Sequence, residues 1–346
     1  MSRKYEVLLC GYYGFGNLGD ELLALSLIGL LEENGVSPEK IALLSNCPER
    51  TSATLGIDCY NRWSMTEIWK VLKMSRSLLL GGGGLFQDST SRRSCLYYWG
   101  LIRLALIAGA VPWAFGQSVG PFRTRTGLFL ARNGLSKCVI LGIRDQGSMD
   151  ILNEWGLKSV ISPDPVLSLR PLVREEESQE FTGKLLINIR PWKNDLAREM
   201  IDSLDGLDSG KFSEILLVAL SEEDERISRE FIKNKETLKG RAEVVRVRCW
   251  QDVERIWTGA CAAIGMRLHF CIFSFIYSVP FTAVPYDPKV RFFANSCGMD
   301  CWEGSGSLSF PLCKRAFSGE NAEKTGQRVR TIFADSFERI RGALQE

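Results

Sequence analysis

Val7-Leu8-Leu9-Cys10-Gly11-Tyr12-Tyr13-Gly14-Phe15-Gly16-Asn17-Leu18-Gly19-Asp20-Glu21 is the stretch that decides the fold. An apolar run of strand length passes into a glycine-rich turn and then into a polar helix start, which is how a parallel α/β sheet begins. Gly14 to Gly19 satisfies G-x-G-x-x-G between strand and helix, a turn whose backbone N–H groups and helix N-terminus suit an anion. A nicotinamide dinucleotide also asks for Asp or Glu after the second strand, to hold its ribose. Here Ile41-Ala42-Leu43-Leu44 is followed by Ser45-Asn46-Cys47, so NAD is the weaker use of the turn. Gly14, Gly16, Asn17 and Asp20 are therefore candidates for an anion or acceptor loop. Their ordinary structural roles are a tight connection for the glycines and helix capping for Asn17, Asp20 and Glu21.

Two further strand ends repeat the theme. Leu78-Leu79-Leu80 runs into Gly81-Gly82-Gly83-Gly84-Leu85-Phe86-Gln87-Asp88, and residues 111–115 run into Gly116-Gln117-Ser118-Val119-Gly120-Pro121. Four successive glycines raise the entropic cost of ordering a loop, so a substrate or a facing backbone is expected to approach there. Ligands of open α/β sheets bind beyond the carboxyl ends of the strands. Gly82, Gly83, Gln87, Asp88 and Gln117 join the acceptor-side candidates, and Ile143-Arg144-Asp145-Gln146-Gly147-Ser148 adds a polar turn after the next strand.

Working outward, strands are expected at 6–10, 41–44, 77–80, 111–115, 138–141 and 159–161, with helices at 21–35, 65–74 and 95–109 between them. Short buried strands alternating with helices imply right-handed βαβ units on a parallel sheet. Pro163, Pro165 and Pro171 and the charged run 174–180 then interrupt the pattern. Alternation resumes with strands at 185–189, 214–220, 243–247, 262–264 and 281–284 and helices at 196–204, 222–234, 252–258 and 268–277. An amphipathic helix at 320–344 closes the chain. The division read from this is a first Rossmann-like domain over 1–172, a linker over 173–183 and a second Rossmann-like domain over 184–346.

The 346 residues suit two domains of this size, and 45% hydrophobic with 24% charged residues excludes a disordered or fibrous chain. A net charge of +2 without a basic run gives no footprint for nucleic acid. The apolar stretch 96–115 is broken by Arg103 and Pro112, so no membrane span is expected. Nor does the N-terminus carry a signal-peptide pattern, so a cytoplasmic protein is expected. The eleven cysteines form no spaced framework. Cys297, Cys301 and Cys313 lack the fourth ligand of a metal set, and no metal is expected.

The single histidine, His269, lies in Gly265-Met266-Arg267-Leu268-His269, ahead of Tyr286-Asp287-Pro288-Lys289. An imidazole followed by a spaced cation is a plausible pair for proton transfer and anion handling. Standing alone, His269 reads as an ordinary core or surface residue, Lys289 as a solvated lysine, Arg267 as a helix-start arginine paired with a carboxylate and Asp287 as a turn residue.

Taken in order, these segments, with Asp164-Pro165 and Val279-Pro280, resemble the polysaccharide pyruvyl transferase family, in particular the CsaB-type enzymes that pyruvylate cell-wall polysaccharide precursors. The likeness runs over residues 5–295. Ser118-Val119 departs from the Gly-Ile expected there, and the segment after Asn295 matches no motif. The resemblance implies two Rossmann-like domains facing across a cleft, in the GT-B manner. It further implies phosphoenolpyruvate as co-substrate, no cofactor, His269 as catalytic acid and base, and Lys289, Arg144 and Arg267 as donor-binding residues. The acceptor is then a glycan, with a polyprenyl diphosphate carrier and peripheral contact with the inner face of the membrane left open. A nucleotide-sugar glycosyltransferase of the same architecture is the alternative. A glycan-binding scaffold is a third reading, against which His269 and Lys289 both count.

Overall fold

The computed structural model describes residues 3–88, 92–169, 183–191, 196–204, 212–235, 240–304 and 319–345. The chain divides into two compact units, Met1–Leu169 with Thr325–Glu346, and Arg170–Lys324. Of the expected linker 173–183, only Gly183 is among the described residues, and Cys313 also lies outside them.

The first unit is a seven-stranded parallel sheet. Its strands are β1 (Tyr5–Cys10), β2 (Ile41–Ser45), β3 (Asp58–Asn61), β4 (Ser75–Phe86), β5 (Val111–Val119), β6 (Leu141–Ile143) and β7 (Val160–Ile161), in the order β3-β2-β1-β4-β5-β6-β7. Val7, Leu8, Leu9 and Cys10 are all fully buried, as a parallel strand covered on both faces requires. Leu8 pairs with Ala42 on one side and Leu78 on the other. Between the strands run α1 (Leu18–Glu33), α2 (Pro48–Leu55), α3 (Met65–Met74), α4 (Arg92–Ile107), α5 (Arg125–Leu135) and α6 (Gln146–Glu154).

The glycine run departs from expectation. Instead of a loop after residue 80, β4 continues to Phe86, with Gly81 paired to Phe115 and Gly83 to Gln117. What faces Gly81 and Gly82 is not a backbone but leucine side chains of α1. A Cβ on Gly81 would lie 2.5 Å from Leu27 Cδ1, and one on Gly82, whose φ is +72°, would lie 2.8 Å from Leu23 Cδ2. Gly81 and Gly82 lack side chains because the first helix lies against that strand, whereas a Cβ on Gly84 would meet only Gln87.

The second unit is a five-stranded parallel sheet with strands β8 (Lys184–Asn188), β9 (Glu214–Ala219), β10 (Ala242–Arg246), β11 (Ala260–Gly265) and β12 (Phe281–Ala283), in the order β10-β9-β8-β11-β12. Its helices are α7 (Leu196–Ser203), α8 (Glu222–Asn234), α9 (Trp250–Trp257), α10 (Leu268–Ile276) and α11 (Pro288–Ser296). Trp257 packs against Phe270 and Phe273 at ring separations of 5.4 and 5.3 Å, and its indole N–H donates to Ser274 Oγ at 3.1 Å. In both sheets the strand order reverses beside the first strand, between β1 and β4 and between β8 and β11, where open α/β sheets hold their ligands.

The last helix, α12 (Gly319–Ala343), corrects the expected boundary. Assigned by sequence to the second domain, it buries Phe333 and Phe337 against Trp113 and Phe333 against Phe115 of β5, at ring separations of 5.8, 5.8 and 5.0 Å. Arg330 joins Glu33 at 3.2 Å and the Ser168 carbonyl, and Arg76 donates to the Leu344 carbonyl at 3.2 Å. An amphipathic pattern states that a helix packs, but not on what. The first unit thus contains both ends of the chain. Among the described residues, no helix is long and apolar enough to cross a membrane.

Candidate active site

At the carboxyl edge of the second sheet, Asn188, Gly265 and Ala283 stand in register across β8, β11 and β12. The residues that follow these strand ends are Arg190 after β8, Arg267 and His269 after β11, and Tyr286 and Lys289 after β12. Asn188 is fully buried and ties the edge together, its amide donating to the Val218 carbonyl at 2.9 Å while its Oδ1 accepts the Arg267 N–H at 3.0 Å. Gly265 has no alternative, since a Cβ there would lie 2.1 Å from the Phe270 ring.

His269 is the second residue of α10, and every other residue of that helix is buried. Its ring lies 6.3 Å from that of Phe273. A buried nine-residue helix therefore presents one half-buried imidazole at its N-terminus. Asp287 caps α11, accepting the Lys289 N–H at 3.1 Å, with Pro288 in the first turn. Lys289 Nζ lies 3.3 Å from Asp287 Oδ2, with both side chains about 30% exposed. Arg190 was not singled out from sequence. Its Nη1 donates to the Tyr286 hydroxyl at 2.5 Å and its guanidinium lies 4.5 Å from the centre of that ring. The signal available was a cation in Ile189-Arg190-Pro191, directly after an apolar strand.

Two of the expected donor cations are committed elsewhere. Arg267 forms a two-pronged pair with the fully buried Asp224, Nε to Oδ2 at 2.5 Å and Nη2 to Oδ1 at 2.7 Å, and also donates to Ser221 Oγ at 2.8 Å. That is the helix-start pairing recognised as its ordinary role. Arg144 belongs to the first unit, where Nη1 meets Asp164 Oδ2 at 2.5 Å and Nε meets Ser118 Oγ at 2.8 Å, with both ion-pair side chains no more than 5% exposed.

The glycine loop of the first unit already holds a carboxylate. Glu21 Oε1 accepts the N–H groups of Gly14 and Gly16 at 2.9 and 3.3 Å. Burial raises the Glu21 carboxyl above its ordinary range, against the pull of those amides and of Arg50. Gly14, at φ +82°, has no room for a side chain, because a Cβ would lie 2.2 Å from Ser45 Oγ. Asn17 donates to Asp20 at 2.5 Å, and Asp20 Oδ1 lies 3.3 Å from where a Gly83 Cβ would be.

Other candidates on this edge serve the scaffold in the same way. Gln117 is buried and donates to the Leu80 and Gly82 carbonyls at 2.9 and 3.1 Å. Asp88 accepts from the Arg123 N–H, the Thr124 N–H and the Thr124 hydroxyl at 2.5, 2.9 and 2.5 Å. Burial alone would raise the Asp88 carboxyl, but these hydrogen bonds prevail and hold it below its ordinary range. Gln87 is half-buried beside Gly84. Among the described residues, no group of three or more His, Cys, Asp or Glu is placed to hold a metal.

The sequence profile of polysaccharide pyruvyl transferases matches residues 17–288, most of the chain and nearly all of the edges just described. The chain belongs to the polysaccharide pyruvyl transferase family. Membership makes it a transferase with a pyruvyl donor and a glycan acceptor. No curated protein matches the sequence. Among solved structures, the UDP-GlcNAc 2-epimerase of Neisseria meningitidis, determined bound to UDP-GlcNAc, is similar with a TM-score of 0.60 at 9% identity, over 97% of this chain and 99% of that one. A glycosyltransferase from Rickettsia africae gives 0.57 at 10% identity, over 99% and 97%. MurG of Acinetobacter baumannii gives 0.50 at 10% identity, over 99% and 95%. At such identities the likeness is one of fold, which this pyruvyl transferase family member shares with GT-B glycosyltransferases and epimerases.

Proposed function

We propose that the protein transfers pyruvate from phosphoenolpyruvate to a sugar of a cell-wall or exopolysaccharide precursor, as CsaB-type enzymes do, forming a ketal and releasing phosphate. The observation that carries the proposal is the position of His269, the one half-buried residue of α10, on the sheet edge that also bears Arg190 and Lys289. The methylene carbon of the enol phosphate must gain a proton, and carbon 2 then bonds two sugar oxygens in turn while the C–O bond to phosphate breaks. Of the two hydroxyl protons released, one replaces that given to the methylene and the other leaves with phosphate. His269 supplies and recovers the proton. Lys289 and Arg190 hold the donor's phosphate and carboxylate through charge-assisted hydrogen bonds. Arg267, bound to Asp224, fixes the start of α10 and so the imidazole.

In this reading the donor docks on the second unit and the glycan on the first. The setting is the cytoplasm at the inner face of the membrane, with a polyprenyl diphosphate as the acceptor's carrier. Phosphate release from phosphoenolpyruvate against a panel of mono- and disaccharide acceptors tests it directly. Stabilisation by UDP- or GDP-sugars in thermal melts, with none by phosphoenolpyruvate, would instead favour a nucleotide-sugar glycosyltransferase.

A further inference from the structure

Five aromatic rings from three separate segments surround one guanidinium at the carboxyl edge of the first sheet. Arg62 follows β3 and is 3% exposed. Nη1 donates to the Gly11 carbonyl at 2.6 Å and Nη2 to the Tyr98 hydroxyl at 3.3 Å, and the Arg62 carbonyl accepts the Tyr97 hydroxyl at 3.0 Å. Among the described residues no carboxylate pairs with it, and its Nε has no hydrogen-bond partner. Taking a cation out of water without a counter-ion is costly, and here ring faces offset that cost. The guanidinium lies 4.7 Å from the ring centre of Tyr97, 5.1 Å from Trp63, 5.2 Å from Phe15, 5.9 Å from Tyr98 and 6.0 Å from Tyr12.

The outer faces of this cluster are open and held still. Trp63 is 59% exposed and Tyr12 45%. Exposed aromatic side chains ordinarily keep rotamer freedom, but the Trp63 indole N–H donates to Asn46 Oδ1 at 2.8 Å and its backbone N–H to Asn61 Oδ1 at 2.8 Å. Tyr12 and Phe15 stack at 4.0 Å with 7° between their planes. A surface fixed beforehand loses little entropy when it binds. The side chains bonded to Trp63 are amides, and Asp20 acts electrostatically on Tyr12. Apolar ring faces bordered by amide and carboxylate groups fit a pyranose, whose C–H face stacks on an aromatic ring while its hydroxyls hydrogen-bond at the border. An anionic membrane surface would call for a cluster of cations at the border, whereas here the single border cation among the described residues, Arg50, donates to the Gly14 carbonyl at 3.1 Å and acts on the Glu21 carboxylate, and Arg62 lies beneath the rings.

We infer that Trp63, Tyr12 and Phe15, held by Arg62, form a stacking platform that receives a pyranose ring of the acceptor glycan. The identity of that glycan as acceptor rests on the pyruvyl-transfer reading. The platform itself is tested on the full chain labelled with 5-fluorotryptophan, the residue-63 signal being assigned through Trp63→Phe. Methyl glycosides and disaccharides of hexoses and N-acetylhexosamines, added without phosphoenolpyruvate, are expected to shift that signal. In turnover, Trp63→Ala should raise the acceptor KM about tenfold or more, the effect of losing one aromatic anchor, with the donor KM within about twofold of wild type and Trp63→Phe largely restoring the acceptor KM. Arg62→Lys, which keeps the charge but not the fork of hydrogen bonds, should weaken the acceptor less than Trp63→Ala does. A residue-63 signal unmoved by every sugar overturns the inference, as does an unchanged acceptor KM in Trp63→Ala or a signal that moves only with vesicles of anionic phospholipid. Failure of wild type to release phosphate from phosphoenolpyruvate with any acceptor overturns the pyruvyl-transfer reading instead, and leaves the sugar titration to decide the platform by itself.

Discussion

The two sheet edges follow the same strand order yet use their polar residues in opposite ways. On the first, Glu21 fills the glycine loop, Gln117 binds β4, Asp88 holds the turn before α5, and Arg144 is enclosed with Asp164. What that edge leaves open is aromatic. On the second, His269 and Lys289 are half-buried at the N-termini of two helices, and Arg190 bonds the Tyr286 hydroxyl. Glycine loops at strand ends therefore do not identify the reactive edge by themselves. Titratable side chains at helix starts beyond the strand ends are the better guide, and on that ground the proposed reaction is assigned to the second sheet.

Replacing His269 probes this contrast most severely. His269→Ala is expected to lower turnover by about 100- to 10,000-fold, the usual worth of a proton-transfer group, while the melting temperature changes little. Near-full turnover in a stopped phosphate-release assay would remove His269 from the reaction. Arg144→Ala should act in the other currency. Removing one member of a buried pair strands its partner, at a cost of about 3–5 kcal/mol in stability, with phosphoenolpyruvate binding retained in calorimetry on the folded fraction. Loss of donor binding at unchanged stability would return Arg144 to the donor site.

Lys289→Ala comes next. Its ammonium is partly exposed and lies against Asp287, so the fold should tolerate the change, and the donor should lose a charge-assisted contact worth about 1.5–3 kcal/mol. The donor KM then rises roughly 10- to 100-fold while the acceptor KM stays put. A change confined to the acceptor would exchange the roles assigned to the two edges.

Much of the fold was legible in the amino-acid sequence because buried parallel strands are written as short apolar runs. Residues 214–220 and 281–284 were expected as strands and appear as β9 and β12, and 222–234 is α8 as expected. The polar edge strand β3, Asp-Cys-Tyr-Asn, carries no such run, and α2 buries only Thr51, so neither announced itself. Helix α11 was not expected either, because Asp287 and Pro288, which cap it and fill its first turn, read from sequence as a turn. At the site, residue types were legible and partners were not. Arg267 meets Asp224 and Arg144 meets Asp164 across 43 and 20 positions, and spacing alone does not encode such meetings. The aromatic cluster was hidden for the same reason: residues 12–15, 62–63 and 97–98 converge only through the order β3-β2-β1-β4.

The smallest expected effects separate two carboxylates within the first edge. Asp88 is held below its ordinary range, so its contribution is present above the unfolded value of about 3.9 and is lost as pH falls through the lower folded value. Glu21 is raised by burial, so its sign is reversed: its contribution is complete below the unfolded value of about 4.3 and declines as pH rises through the higher folded value. Asp88→Asn should therefore cost about 1–2 kcal/mol in urea unfolding at pH 7, a deficit that narrows at pH 3 as the wild-type carboxylate loses its advantage. Glu21→Gln keeps an oxygen for the Gly14 and Gly16 amides and removes the buried charge, so it should be neutral at pH 3 and stabilising by about 1 kcal/mol or less at pH 7. If Glu21→Gln is instead destabilised at pH 7 while Asp88→Asn is not, the amides of the glycine loop require a full negative charge. That loop would then be an anion site which the chain has filled with its own carboxylate.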